Sequence, residues 1–316
     1  MSPAPITVRK PKALRKGSTL AFFAPASPPN EDDEFRSGIN ELNRLGFGVV
    51  QAHEIHPAGY FSGSTEERAA GFLSALHDPA ISGLVALRGG YGSTYLLEPL
   101  FNENFQYAKC VIGYSDLTAL QTLLWQKHGW VSFQGPMLLA GFAAGSNGLR
   151  SYDKDSFLNA ITRTTGNWFV KLNGESVRPG GAEGRIVGGC LTILQTSIGT
   201  PWELDTEGGI LLLEDTHMKP YQVDRALMHL KQAGKFRSIR GIVLGEFPNS
   251  EPPLAGSPTV PEVCWRILGP LGVPVVFGAP VGHTKRAMLT IPLGVRARLD
   301  ASGEGTLEIF EAAVID

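Results

Sequence analysis

The sequence predicts a two-part α/β protein built on mostly parallel sheets. Three observations carry that prediction. Short apolar runs alternate with amphipathic helical patterns through the first half; a Gly, Ser and Asn-rich stretch without periodicity follows; and α/β alternation resumes before two late strand patterns close the chain. The expected division is an N-terminal unit over 1–140, a connection over 141–180 and a strand-rich C-terminal unit over 181–316.

In the first unit, residues 20–24 read as a buried strand and 34–45 as a helix with Phe35, Ile39, Leu42 and Leu45 on one face, stopped by Gly46. Residues 48–52 read as a strand. Ser64 opens a helix over 65–76, with Glu67 three residues on to complete a capping box. Strands follow at 83–87 and 109–114, then a helix over 117–127 and a strand over 131–134. Repeated strand-helix units at this spacing imply parallel pairing with both faces covered. In the second unit, GGCLTILQTSIGTPW reads as a helix, GGILLLEDT as a strand, YQVDRALMHLKQAG as a helix and IRGIVLGEF as a strand. VPEVCWRILGPLG reads as a helix, VPVVFGAPVGH as a strand, and LTIPLGVRARLD and TLEIFEAAV as the late strands.

With 28 basic and 30 acidic residues the net charge is −2, so no global field draws the chain to nucleic acid or to an anionic membrane. Small-molecule partners are the expectation. Cys110, Cys190 and Cys264 sit among apolar neighbours at no metal-ligand spacing, as in a reducing compartment. Basic residues from Arg9 to Lys16 before STLAFFAPAS imitate a secretory leader, yet the apolar run is shorter than the roughly 7–15 residues of a leader core. No segment approaches the roughly 20 apolar residues of a membrane span. The expected location is the cytoplasm.

Loops that follow strand C-termini line the ligand crevice of a parallel sheet, which singles out RGGYGS at 88–93, GYSD at 113–116, LED at 213–215 and GHT at 282–284. Ser115 stands where an apolar strand turns abruptly into a helix. Such a turn exposes the side chain and aims helix-start N–H groups at the same point, as a nucleophile requires. The same serine equally suits a helix N-cap, and G-x-S-x-G is absent because Leu117 follows Asp116. His283, after an apolar strand and beside Gly282, is the best-placed general base. Glu214 or Asp215, surfacing from LLL, could orient it, although either could instead cap a helix or pair with Arg225. His53 and His56 lack a third metal ligand nearby, and His77, His128 and His229 suit helix ends or faces. RGGYGS lacks the lysine of a phosphate loop, but Gly89 and Gly90 permit close backbone approach and a second oxyanion N–H. AGSNG at 144–148 follows no strand and reads as connection.

Taken together, APASP at 24–28, LRGGYGS at 87–93, IGYSDLTAL at 112–120, GGCLTIL at 188–194, IGTPW at 198–202, LLLEDT at 211–216, VDRALMHL at 223–230 and GHT at 282–284 resemble the LD-carboxypeptidase family of serine peptidases, the muramoyltetrapeptide carboxypeptidases. The resemblance implies a flavodoxin-like sheet in the N-terminal domain and a smaller C-terminal domain carrying a Glu and a His. It implies a triad of Ser115, Glu214 and His283, with Glu214 rather than Asp215 as the acid, no metal or other cofactor, and a homodimer. It implies hydrolysis of the L,D-peptide bond that releases terminal D-Ala from murein tetrapeptides in cytoplasmic cell-wall recycling. The expected oxyanion donors are the N–H groups of Asp116 and Gly90, and Arg88, Gly89 and Tyr91 form the expected substrate-binding loop, with Arg88 a candidate partner for the terminal carboxylate. Two departures bear on substrate choice: Cys190 stands where the family often has Asn after the paired glycines, and Met218 where it often has a second Glu four residues after the acid. The alternatives are a microcin-immunity peptidase acting on peptidyl-adenylate-type toxins, and a non-catalytic muropeptide-binding protein.

Overall fold

Why the apolar runs become strands is plain from their burial: β1 (Thr19–Phe23), β3 (Gly83–Ala86) and β4 (Cys110–Gly113) are covered on both faces, the condition under which strands carry continuous rather than alternating apolar sequence. The computed structural model describes residues 6–30 and 32–316. Helix α1 (Asp32–Arg44) leads to β2 (Gly48–Gln51), and α2 (Thr65–His77) opens with the expected capping box of Ser64 and Glu67. After β3 come a 3₁₀ turn over Ser93–Leu96 and α3 (Leu97–Phe101), then β4, α4 (Thr118–His128) and β5 (Ser132–Gln134). These five strands pair in parallel in the order β5-β4-β3-β1-β2.

The stretch expected to be a connection, 141–180, is built structure. It holds α5 (Lys154–Thr162), β6 (Trp168–Lys171) and β7 (Glu175–Arg178). Both strands are edges of the second sheet, whose order is β6-β14-β13-β8-β9-β10-β11-β7. Both are four residues long; β6 exposes alternate residues and β7 is mostly exposed and polar, so their sequence does not stand out from loop.

A second difference follows the paired glycines. The ten-residue strand β8 (Gly181–Cys190) fills GAEGRIVGGC, and only then does the short α6 (Leu191–Thr196) begin. A Cβ at Gly188 would lie 2.0 Å from the carbonyl oxygen of Leu212, and one at Gly189 would lie 2.6 Å from Thr118 Cγ2. Glycine is therefore required by close backbone approach inside a strand, the situation in which composition misleads. The core strands β9 (Gly209–Glu214), β10 (Gly241–Gly245) and β11 (Val275–Ala279) run parallel to β8, with α7 (Pro220–Gln232) and α8 (Val260–Leu268) between them.

The late strands number three. β13 (Arg296–Asp300) and β14 (Thr306–Ile309) extend the second sheet antiparallel, while β12 (Ile291–Leu293) crosses over and pairs with β5 of the first sheet, Ile291 opposite Gln134. The chain thus returns to its first sheet immediately after the loop that carries His283. That crossover fixes one sheet against the other next to the predicted site. Among the described residues no helix is long and apolar enough to cross a membrane.

Candidate active site

Ser115 sits at the C-terminal end of β4 with φ of 62°, a left-handed conformation that costs a non-glycine residue about 1–3 kcal/mol. It starts a 3₁₀ turn, Ser115–Leu117, whose cap residue is Tyr114, and its side chain makes no capping bond. The N-cap alternative therefore does not hold. The turn instead points the hydroxyl at the glycine loop: a Cβ on Gly89 would lie 2.8 Å from Ser115 Oγ, so only glycine leaves room there. Gly90, with φ of 123°, is pressed against Ser27 in the same way, a Cβ falling 2.1 Å from its Oγ. Neither the Gly90 N–H nor the Asp116 N–H has a protein acceptor among the described residues.

Two buried charged side chains, neither predicted as supports, hold that loop in place. Asp116 Oδ2 accepts from the Ser93 N–H at 2.7 Å, and burial pushes the Asp116 carboxyl above its ordinary pKa against the pull of these N–H groups. The Arg68 guanidinium donates to the carbonyls of Gly92 at 2.8 Å, Gly63 at 3.1 Å and Pro25, tying the loops at 24–28 and 88–93 together. The available signal for Arg68 was a lone arginine on the buried face of α2, among Ala69, Phe72 and Leu76.

Glu214 ends β9 and is wholly buried. Its Oε2 accepts from the His283 backbone N–H at 2.8 Å and from Nδ1 at 2.7 Å, and its Oε1 accepts from Gln134 Nε2 at 3.3 Å. Because an ionised carboxylate only accepts, Nδ1 carries the hydrogen and the Nε2 lone pair is left free to take a proton. Gly282 makes this approach possible: its φ is 60°, and a Cβ there would lie 2.1 Å from Glu214 Cδ. Burial pulls the His283 pKa down, but the Glu214 charge and hydrogen bond, with a smaller effect from Asp215, outweigh it and leave the pKa raised. The ring stands edge-on to Tyr114 at 5.0 Å between centroids, so the His283 loop packs against the residue before Ser115. No direct Ser115–His283 hydrogen bond is made among the described residues, as is common before substrate orders a site.

Asp215 points the other way, as successive residues of a strand must. Its carboxylate accepts from the N–H groups of Thr192 and Thr216, each at 2.8 Å, and does not reach His283. Cys190 Sγ lies 3.5 Å from Asp215 Oδ2, and Met218 Sδ lies 3.6 Å from Thr192 Oγ1, so both departures from the family pattern gather around Asp215. Glu214 does not pair with Arg225. Arg88 donates to the Pro28 carbonyl at 3.2 Å, and exposed Tyr91 packs its ring 6.0 Å from Phe61 and from Tyr95. His53 is half-buried against Gly71, and His56 faces Glu54 and Glu67 at 3.3 and 3.4 Å.

A carboxylate-imidazole pair beside a strained serine, with free N–H groups close by, has the parts for acyl transfer. The comparisons with known proteins point to a peptidase. The models of the LD-carboxypeptidase N-terminal and C-terminal domains match residues 20–135 and 183–299. The probable murein peptide carboxypeptidase of Bacillus subtilis (strain 168) is 32% identical over 309 residues, 96% of this chain and 95% of that protein. The microcin C7 self-immunity protein MccF of Escherichia coli is 30% identical over 319 residues, 91% of this chain and 92% of that one. Among solved structures, MccF in complex with glutamyl sulfamoyl guanosine superposes with a TM-score of 0.84 at 27% identity, over 96% of this chain and 99% of that chain. The muramoyltetrapeptide carboxypeptidase from Oxalobacter formigenes superposes with a TM-score of 0.78 at 31% identity, over 95% of this chain and 100% of that chain. With both domain models matched and relatives of this similarity spanning nearly its whole length, the chain belongs to the LD-carboxypeptidase family of peptidases.

Proposed function

We propose that the protein is a serine carboxypeptidase that hydrolyses the L,D-peptide bond before the terminal D-Ala of murein tetrapeptides, in the cytoplasm and as a homodimer. The observation that supports it most is the Glu214–His283 pair, closed at 2.7 Å and packed through Tyr114 against the strained Ser115. In this reading His283 Nε2 takes the Ser115 proton as Oγ attacks the scissile carbonyl. The resulting oxyanion accepts from the N–H groups of Asp116 and Gly90. His283 then protonates the departing amine, and water, activated by the same imidazole, releases the acyl group from Ser115. Arg88, Gly89 and Tyr91 line the approach, with Arg88 available to the terminal carboxylate through the donors that Pro28 leaves free.

A second reading, cleavage of a peptidyl-adenylate-type toxin, draws support from the likeness to MccF over more than nine-tenths of this chain. Mass spectrometry of a tetrapeptide ending in meso-diaminopimelate-D-Ala, incubated with wild type and with Ser115→Ala, separates the two. Loss of D-Ala with wild type alone is the expected result. If neither protein releases D-Ala, the carboxypeptidase reading falls and a peptidyl-adenylate becomes the substrate to test.

A further inference from the structure

The segment that carries AGSNG and was expected to be a connection walls a cleft of about 460 Å³ next to the catalytic pair. Its lining includes Tyr114, whose ring faces His283, and Thr284, which follows His283, together with apolar Leu139, Ala143 and Met288. Arg150 is the one charged side chain among the lining residues. Its guanidinium has no hydrogen bond or ion pair within the protein among the described residues, whereas Arg68, Arg185 and Arg286 are all engaged by carbonyls or carboxylates.

The backbone beneath Arg150 is fixed even though its side chain is free. Arg150 has φ of 57°, and its N–H donates to the Lys285 carbonyl at 3.0 Å. The Met288 N–H donates to the Ser151 carbonyl at 3.0 Å, and the Asp153 N–H to the Met288 carbonyl at 2.8 Å. Residues 150–153 are therefore laced to 285–288, the continuation of the His283 loop. Left-handed backbone at a non-glycine residue persists where surrounding bonds maintain a conformation the residue would not choose. A planar fork of donors, always charged and carried on a fixed backbone, suits a carboxylate at the end of a short aliphatic arm.

We propose that Arg150 is a specificity-determining residue that binds a carboxylate of the peptide substrate in this cleft. The proposal rests on the hydrolytic reading above. The carboxylate has two possible sources, the C-terminus of the leaving D-Ala and the side chain of the diaminopimelate that precedes it. A guanidinium-carboxylate contact of this kind is worth about ten- to hundredfold in affinity.

The test is steady-state release of the terminal residue by wild type, Arg150→Ala and Arg150→Lys from three tetrapeptides: the parent, its diaminopimelate side-chain amide, and its C-terminal D-alaninamide. With the parent, Arg150→Ala is expected to raise KM about ten- to hundredfold while kcat changes less than about threefold. Arg150→Lys should fall between the two. One amide should raise the wild-type KM to a similar degree and make the Arg150 substitution silent, and which amide does so identifies the carboxylate. An unchanged KM with the parent, or an Arg150 effect of equal size on all three peptides, overturns the proposal. If wild type releases nothing, the hydrolytic reading fails separately, and calorimetric titration of the parent peptide into Ser115→Ala with and without Arg150→Ala decides the subsite. Affinity that falls with Arg150 upholds it; equal or absent affinity overturns it.

Discussion

Replacing Glu214 by Gln isolates charge from geometry at the proposed catalytic pair. Glu214 Oε2 accepts both the His283 N–H and Nδ1–H, at 2.8 and 2.7 Å, and a carboxamide oxygen in the same place accepts both. The new amide NH₂ then takes the Oε1 position facing Gln134 Nε2, and Gln134 Oε1 is itself buried without a partner, so a flip of the Gln134 amide restores the pairing. In the proposed mechanism, what disappears is the negative charge beside the imidazolium that forms as Ser115 is deprotonated. With the charge centres roughly 4 Å apart and an effective dielectric of about 20, that charge is worth about 4 kcal/mol. About one-fifth of the His283 side chain stays exposed, so solvent screens part of it. The expected loss in kcat is therefore about 10²- to 10³-fold. The pH profile gives an independent check. Glu214 raises the His283 pKa against burial, so without the charge burial is opposed only by the smaller effect of Asp215, the pKa falls, and the acid limb of kcat/KM moves to lower pH. For stability the sign is the reverse of a carboxylate's. In wild type the pair contributes fully below the unfolded histidine pKa of roughly 6.5 and is lost as pH rises through the folded value. Pre-steady-state and steady-state D-Ala release across pH, with circular dichroism to confirm folding, provides the assay. Less than a tenfold loss in a folded protein, or an acid limb that stays in place, refutes this account.

Gly90→Ala should cost about 1–3 kcal/mol of stability and about 10²-fold or more in kcat, because φ is 123° and the new Cβ falls 2.1 Å from Ser27 Oγ; thermal melting and turnover read the two effects, and an unaltered kcat would remove Gly90 from the oxyanion role. Glu246 grips the loop after His283, its Oε2 accepting from Thr284 Oγ1 at 2.6 Å and the Lys285 N–H at 3.0 Å while Oε1 pairs with Arg286. Glu246→Ala should lower kcat about tenfold or more, with KM changed less than about threefold and partial recovery in Glu246→Gln, since the imidazole loses its positioning rather than its chemistry.

The parts of the fold that were legible in the sequence are those where one physical demand dominates. Strands β1, β3, β4, β9, β10 and β11 are buried on both faces, and that alone makes them apolar runs. The capping box at Ser64 and Glu67 was equally readable, because its two bonds lie within four residues. Legibility fails where a tertiary demand overrides local preference. In β8, Gly188 and Gly189 are dictated by Leu212 and Thr118, residues distant in sequence, and the end of the strand reads as the start of a helix. β6 exposes alternate positions and β7 nearly all of its positions because each closes an edge, and β12 is three residues whose partner lies in the other sheet.

The site divides along the same line. Ser115, Glu214 and His283 are visible because each follows an apolar strand and the resemblance to a family orders them, although nothing local separates Glu214 from Asp215. The alternation of side chains does so once the strand is in place: position 214 faces Gln134 and His283, and position 215 turns to Thr192 and Cys190. Arg68, Gln134, Glu246 and Arg150 escape sequence reading for a common reason. Arg68, Gln134 and Glu246 bond to segments distant in sequence and Arg150 lines a cleft shared with the His283 loop, so the significance of each is a property of the assembled crevice. On the proposed reading, that is also where substrate choice can vary. The serine turn and the Glu-His pair are constrained from several sides by glycines that admit no Cβ, whereas Arg150 is held by its backbone alone and its side chain is free to be exchanged without disturbing a neighbour.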